Sequence, residues 1–350
     1  MSKDILFTTR GGIAFITLNR PQALNALTFE MTLLMNAQLE KWAVDSAVRA
    51  VVIQGAGDKA FCAGGDVKVA ALDAKAVREG HSDGQLCREF FRTEYILNHR
   101  IYTFPKPYLA LINGIVMGGG KGVSAHGSHR IVTENTLFAM PETSIGFFPD
   151  VGGGYFLPRC PGETGAYLAL TSKRINAADT LYIGFATHFV PADKIAALTE
   201  ALCVEKDIDT VVKSFSTIPL QDSAIAPYRE KIDSCFGHDR IEEIVAALQR
   251  DSSLWAQETL QALSIMSPTS LKIALRQIRL GAKMSFAEVM TMEYRLSQAC
   301  VMNHDFYEGI RAALIDKDRT PKWSPAEIEN VDDREIDFCF QSLGAQDLVF

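Results

Sequence analysis

The chain has 350 residues, 47% of them hydrophobic and 22% charged, the balance of a folded globular protein, which excludes a disordered one. Its 42 acidic and 35 basic side chains leave a net charge of −7, which argues against nucleic acid or an anionic membrane surface as partner, because both select basic proteins. Seven cysteines, at 62, 87, 160, 203, 235, 300 and 339, are odd in number and show no CxxC or zinc-type spacing, so they read as reduced thiols.

That length favours a main domain with a smaller part appended. The opening MSKDILFTTRGG has no apolar signal core, and the least polar run, residues 107–120, is too short to span a membrane. The expectation is therefore a cytoplasmic protein. Residues 5–18, ILFTT and IAFITL around a Gly pair, alternate as a strand hairpin that Arg20-Pro21 ends. Thr28 is placed to cap a helix with Met31, Leu34, Met35, Leu39 and Trp42 on one face. The AVVIQ run at 50–54 is the next strand and completes a crossover unit.

In KAFCAGGDV, Gly64 and Gly65 follow that unit, where glycines let the backbone approach a ligand and turn an N–H toward it. A plain tight turn is the competing reading. Residues 71–84 are polar, carry Gly80 and Gly84, and read as a mobile surface loop, while 86–102 have a helical period with Phe90, Phe91 and Ile96 or Leu97 buried. Glu94 lies in that helix and, taken alone, is a solvated face residue.

Residues 107–122, PYLALINGIVMGGGKG, run from an apolar strand into Gly118-Gly119-Gly120, with Lys121 onward able to open a helix. Helix starts carry unpaired N–H groups, so this is a candidate oxyanion site. It is not a P-loop, since Gly122 stands where Ser or Thr is required, and no acid follows at dinucleotide-fold spacing. Short strands follow at 130–132 and 136–138. The run FAMPETSIGFFPDVGGG then sets two acids, Glu142 and Asp150, among uncharged neighbours. A carboxylate there needs partners or a raised pKa; two solvated loop acids are the ordinary alternative.

Beyond a helix at 162–171 and the strand-like HFVP, helical periods dominate at 192–204, 241–250, 253–264, 268–281, 286–302 and 305–315. The division expected is 1–191, containing the strands, and 192–350, helical, with 331–350 unassigned. His126 and His129 lie close together but lack a metal-binding context such as HExxH. They are read as loop or core residues, and no metal is expected.

Two main-chain N–H groups aimed at one carbonyl oxygen, with a carboxylate nearby, are the parts of a thioester enzyme. The stretches NRPQALNAL, AFCAGGDV, GIVMGGGKG and FAMPETSIGFFPDVGGGYFLPR resemble the crotonase (enoyl-CoA hydratase/isomerase) superfamily, most closely its 3-hydroxyisobutyryl-CoA hydrolase branch. The resemblance covers residues 5–185 and resumes at 304–323. It implies an α/β fold, a ββα spiral core whose C-terminal helices close an acyl-CoA pocket. It also implies oxyanion-hole N–H groups at Gly65 and Gly119, a catalytic carboxylate at Glu142, a second acid at Asp150 that binds the substrate 3-hydroxyl, and Glu94 lining the acyl end.

Hydratases of this superfamily typically carry a second glutamate three residues after the middle oxyanion glycine, and here that position is Gly122. Hydrolysis is therefore the expected reaction, with Glu142 acting on water or on the thioester itself. The resemblance implies no cofactor beyond the coenzyme A of the substrate, which should meet backbone around residues 22–27, and it is compatible with a homo-oligomer. A hydratase or isomerase of the same superfamily, and a non-catalytic acyl-CoA or RNA-binding scaffold, are the rival readings.

Overall fold

The computed structural model describes residues 2–350. By compactness the chain divides into two units that interleave along the sequence: Met1–Gly65, Ile96–Ala139 and Arg174–Ala226 form one, and Asp66–Tyr95, Met140–Lys173 and Pro227–Phe350 the other. Among the described residues every strand lies in the first unit. These are β1 (Ile5–Arg10), β2 (Ile13–Leu18), β3 (Ala50–Gly55), β4 (Ala60–Cys62), β5 (Tyr108–Ile112), β6 (Ile115–Met117), β7 (His129–Val132), β8 (Leu137–Ala139) and β9 (His188–Phe189).

The β1–β2 pair is the expected antiparallel hairpin. From β2 onward the larger sheet is parallel, in the order β1-β2-β3-β5-β7-β9, while β4, β6 and β8 make a second, parallel sheet. Each of β3, β5 and β7 is thus followed within a few residues by a short strand of the other sheet. Three such turns are the ββα spiral of the expected α/β class. Strands β3 and β5 are apolar nearly throughout because both faces are covered, as parallel sheets require. On one face the alternating residues Ile13 and Phe15, Ala50 and Val52, and Leu109 and Leu111 pack under helices Ile195–Val204 and Ile208–Phe215 through Leu198, Leu202, Val211 and Val212. The helix Phe29–Val44 starts as its sequence dictates, with Thr28 Oγ1 accepting from the Met31 N–H at 3.2 Å.

In the second unit the described residues form helices, turns and loops. Its two central helices, Pro268–Gly281 and Phe286–Met302, begin at Ser267 and at a Ser285/Glu288 capping box, and both bury most of their length. Residues 71–78 are not a loop but the rest of the helix Val67–Arg78, which buries Ala70, Ala71 and Ala74, a stripe of small side chains too weakly apolar to stand out in the sequence; residues 79–84 are the turn that follows it. Asp73 then fixes the following turn, accepting from Ser82 Oγ at 2.5 Å and the Cys87 N–H at 3.0 Å.

The unassigned tail holds the helix Asp333–Cys339, and Arg295 grips Asp347 with two bonds of 2.8 and 2.6 Å. No strand follows Phe189 among the described residues, so strand content changes close to residue 191. The compact units, however, are assembled from three segments each.

Candidate active site

The residues singled out from sequence fall into two groups, one in each unit. Gly65 and Gly119 belong to the first. The Gly64-Gly65 turn leaves β4 with Gly64 at φ +121, a conformation side chains rarely adopt. It is tied to residues 24–27: the Ala63 N–H donates to Leu24 O at 3.0 Å and the Leu27 N–H to Gly64 O at 2.9 Å. Leu24 and Asn25 both have positive φ, 50 and 56. Fully buried Asn25 holds that shape, donating from Nδ2 to Ala56 O at 2.9 Å and Ala60 O at 2.8 Å. The NRPQALNAL stretch is therefore a buttress for the first glycine turn.

The second glycine turn follows β6. Gly118 has φ +46, and Gly119–Gly122 form a single helical turn, which begins two residues before the start expected at Lys121 and ends short of Ala125. Gly120 is there for contact, since a Cβ on it would lie 2.2 Å from Cys62 O. A Cβ on Gly64 would sit 3.5 Å from Met117 O and 3.9 Å from the Gly119 nitrogen, which makes the two turns neighbours. Among the described residues neither the Gly65 nor the Gly119 N–H donates to an acceptor. Two adjacent donors without acceptors suit an anion or a carbonyl oxygen that becomes one.

Glu142, Asp150 and Glu94 belong to the second unit and are all buried, at 5%, 6% and 2% exposure. The solvated readings of all three are thereby excluded. Glu142 opens the tight turn Glu142–Ile145, closed by Gly146 at φ +73. That turn is locked from three directions. Thr143 accepts the Ser267 N–H through its carbonyl at 3.1 Å, Thr143 Oγ1 meets Ser172 Oγ at 2.9 Å, and a Cβ on Gly146 would come within 2.0 Å of Asp305 O.

Asp150 accepts from the buried Tyr95 hydroxyl at 3.0 Å. Tyr95 follows Glu94 in the helix Gln85–Tyr102, and the Phe91 ring, one turn earlier, stacks on Phe147 with centroids 5.4 Å apart. Burial, reinforced by the negative charge of Asp150, pushes the Glu94 carboxyl well above the usual carboxylate range, which favours its neutral form. Burial and the surrounding acids Asp150, Glu293 and Glu94 likewise raise the Tyr95 phenol, keeping it a hydrogen-bond donor.

Tyr95, Gln277 and Glu293 were missed from sequence. Tyr95 had a usable signal, a polar-tipped aromatic beside Glu94 on an apolar face. Gln277 and Glu293 had none, being 128 and 141 residues from their loop partners. Of the histidine pair, His129 lies against Ser128 and Asp209 at 2.9 Å each, beside a stacked His188. Among the described residues no set of three His, Cys, Asp or Glu is placed to hold a metal ion, and no helix is long and apolar enough to cross a membrane.

The enoyl-CoA hydratase/isomerase family model matches residues 13–340. Similar curated proteins include the mitochondrial 3-hydroxyisobutyryl-CoA hydrolases of Danio rerio, 50% identical over 99% of this chain and 91% of that protein, and of Homo sapiens, 47% identical over 100% and 91%. Among solved structures, a carnitinyl-CoA dehydratase from Mycobacterium thermoresistibile superposes with a TM-score of 0.94 at 40% identity, covering 100% of this chain and 99% of that one.

Proposed function

We propose a hydrolase reaction for this chain, which belongs to the enoyl-CoA hydratase/isomerase family: cleavage of the 3-hydroxyisobutyryl-CoA thioester to 3-hydroxyisobutyrate and coenzyme A, a step of valine breakdown. The relatives named for that reaction support it over essentially the whole chain. The observation that carries it is the buried acid Asp150, oriented by Tyr95 beside Glu94, a polar spot in apolar surroundings that suits a hydroxylated acyl group. Gly122, where hydration needs a second acid, supports hydrolysis over hydration.

In this reading the thioester carbonyl oxygen accepts from the Gly65 and Gly119 N–H groups, which stabilise the negative charge it gains in the transition state. Glu142 acts by one of two routes. As a base it takes a proton from water, whose oxygen adds to the carbonyl carbon; the tetrahedral intermediate then expels coenzyme A as a thiolate, which is protonated. As a nucleophile it adds to the same carbon and expels the thiolate, leaving a mixed anhydride that water opens. Asp150 accepts from the substrate 3-hydroxyl, and neutral Glu94 lines the acyl end. Residues 22–27 offer main-chain contacts to coenzyme A.

A thiol-release assay over a panel of 3-hydroxyacyl-CoAs, with crotonyl-CoA alongside, tests the proposal. Release is expected to be fastest with 3-hydroxyisobutyryl-CoA. Hydration of crotonyl-CoA without thiol release would sink the hydrolase reading in favour of the hydratase one. One turnover in 18O-water tests for the anhydride, because label enters the Glu142 carboxyl group only when water opens an anhydride at the Glu142 carbonyl carbon. A cytoplasmic location, read from the scattered thiols, stands against relatives named mitochondrial, and cell fractionation decides between them.

A further inference from the structure

The loop that carries Asp150 is held in an unusual shape. Val151 has φ +50 and Gly152 φ +82; for a β-branched residue the left-handed region is strained and persists only where the surroundings enforce it. One side chain bridges the loop just after Val151. Glu293, fully buried in the helix Phe286–Met302, accepts the Gly152 N–H on Oε2 at 2.7 Å and the Gly154 N–H on Oε1 at 2.8 Å.

Gln277, from the neighbouring helix Pro268–Gly281, donates from Nε2 to Glu293 Oε1 at 2.9 Å and to Pro149 O at 2.8 Å. The loop is thus gripped on both sides of Asp150, at residue 149 and at residues 152 and 154. Space agrees with this: a Cβ on Gly154 would press on Gln277 Nε2 at 3.0 Å and Glu293 Oε1 at 3.2 Å, and one on Gly281 would meet Gly154 O at 2.0 Å.

Three N–H donors converge on the Glu293 carboxyl group, two on Oε1 and one on Oε2, and such bonds are strongest to an ionised acceptor. An amide in its place would turn an NH2 toward one of those donors. A buried carboxylate is costly to desolvate, and here the loop N–H groups of Gly152 and Gly154 and the Gln277 amide offset that cost. Its use here is explained by what the loop presents, an acid whose orientation sets which acyl group is read.

We propose that Glu293, with Gln277, is a positioning residue that fixes the Asp150 carboxylate and thereby sets the enzyme's preference for a 3-hydroxylated acyl group. This rests on the hydrolase reading above. The test compares Glu293→Gln, Asp150→Asn, the double variant and wild type on 3-hydroxyisobutyryl-CoA and on isobutyryl-CoA, which lacks the hydroxyl.

The expected result is at least a tenfold fall in the kcat/KM ratio of the hydroxylated to the plain thioester in Glu293→Gln, with the double variant no worse than Asp150→Asn. Amide hydrogen exchange across residues 150–154, which needs no substrate, should rise in Glu293→Gln. Unchanged exchange overturns the proposal, and so does faster exchange with an unchanged ratio, or effects that multiply in the double variant. If Glu293→Gln fails to fold, Gln277→Met, which keeps the volume and removes the donor, is read by the same criteria. A wild type that releases no thiol, yet loosens at 150–154 on Glu293→Gln, places the failure in the hydrolase reading and leaves the clamp standing.

Discussion

The two groups of candidate residues are built in opposite ways. In the strand-containing unit the proposed oxyanion donors are main-chain N–H groups, and their direction is set by backbone shape: Gly64 at φ +121, Gly118 at φ +46, and the buried Asn25 amide behind them. In the helical unit the proposed groups are side-chain carboxylates, and the Asp150 loop is placed by partners far away in sequence. The first kind of site fails when a Cβ is added. The second fails when one polar atom is exchanged, with the fold left largely intact.

Substitutions in each unit sharpen this contrast. The largest effect is expected for Glu142→Gln, which keeps the volume and removes the proposed base or nucleophile: thiol release should fall by ~1,000-fold, in line with loss of such a group, with an unchanged melting temperature. Activity at the parent rate would remove Glu142 from the mechanism. Gly120→Ala attacks the other unit. Its Cβ would meet Cys62 O at 2.2 Å, so the backbone must move and carry the Gly119 donor with it.

A loss of ~100-fold in kcat is expected from a displacement of that size, together with a lower melting temperature, and the coupling of the two losses is the signature of a backbone-built site. Smaller again is Tyr95→Phe, which removes one hydrogen bond to a charged acceptor. About tenfold is expected in kcat/KM, confined to 3-hydroxylated substrates. An equal loss on isobutyryl-CoA would mean that Tyr95 supports the fold alone.

This difference in construction also explains what was legible in the sequence. Local features were readable: the hairpin and its Gly pair, the Thr28 cap, the strands at 50–54 and 108–112, and both glycine turns, because turn chemistry and strand period act over a few residues. Gly65, Gly119, Glu142, Asp150 and Glu94 were all singled out through short motifs, and the structure places them in two groups, one per unit. What stayed hidden was non-local. The helix Val67–Arg78 looked like a loop because its buried stripe is alanine, and Glu293 looked like any helix acid because its partners lie some 140 residues upstream. Nothing in its own neighbourhood distinguishes it.

Glu94 gives the smallest expected effect and the most direct reading of how the helical unit treats charge. Burial and Asp150 hold its carboxyl well above the usual range in the folded protein, whereas in the unfolded chain it titrates near the ordinary glutamate value. The stability it contributes is therefore complete below that unfolded value and is lost as pH rises through the folded one. Glu94→Gln cannot ionise and escapes that loss. Its melting temperature relative to wild type should therefore climb as pH increases from ~4 upward, by only a few degrees, since a single group is involved. A difference that stays flat over the same range would show that folding leaves the Glu94 carboxyl unshifted, and one that falls would show that it is ionised and paired in the fold. In the second case it would join Asp150 as a second charged acceptor.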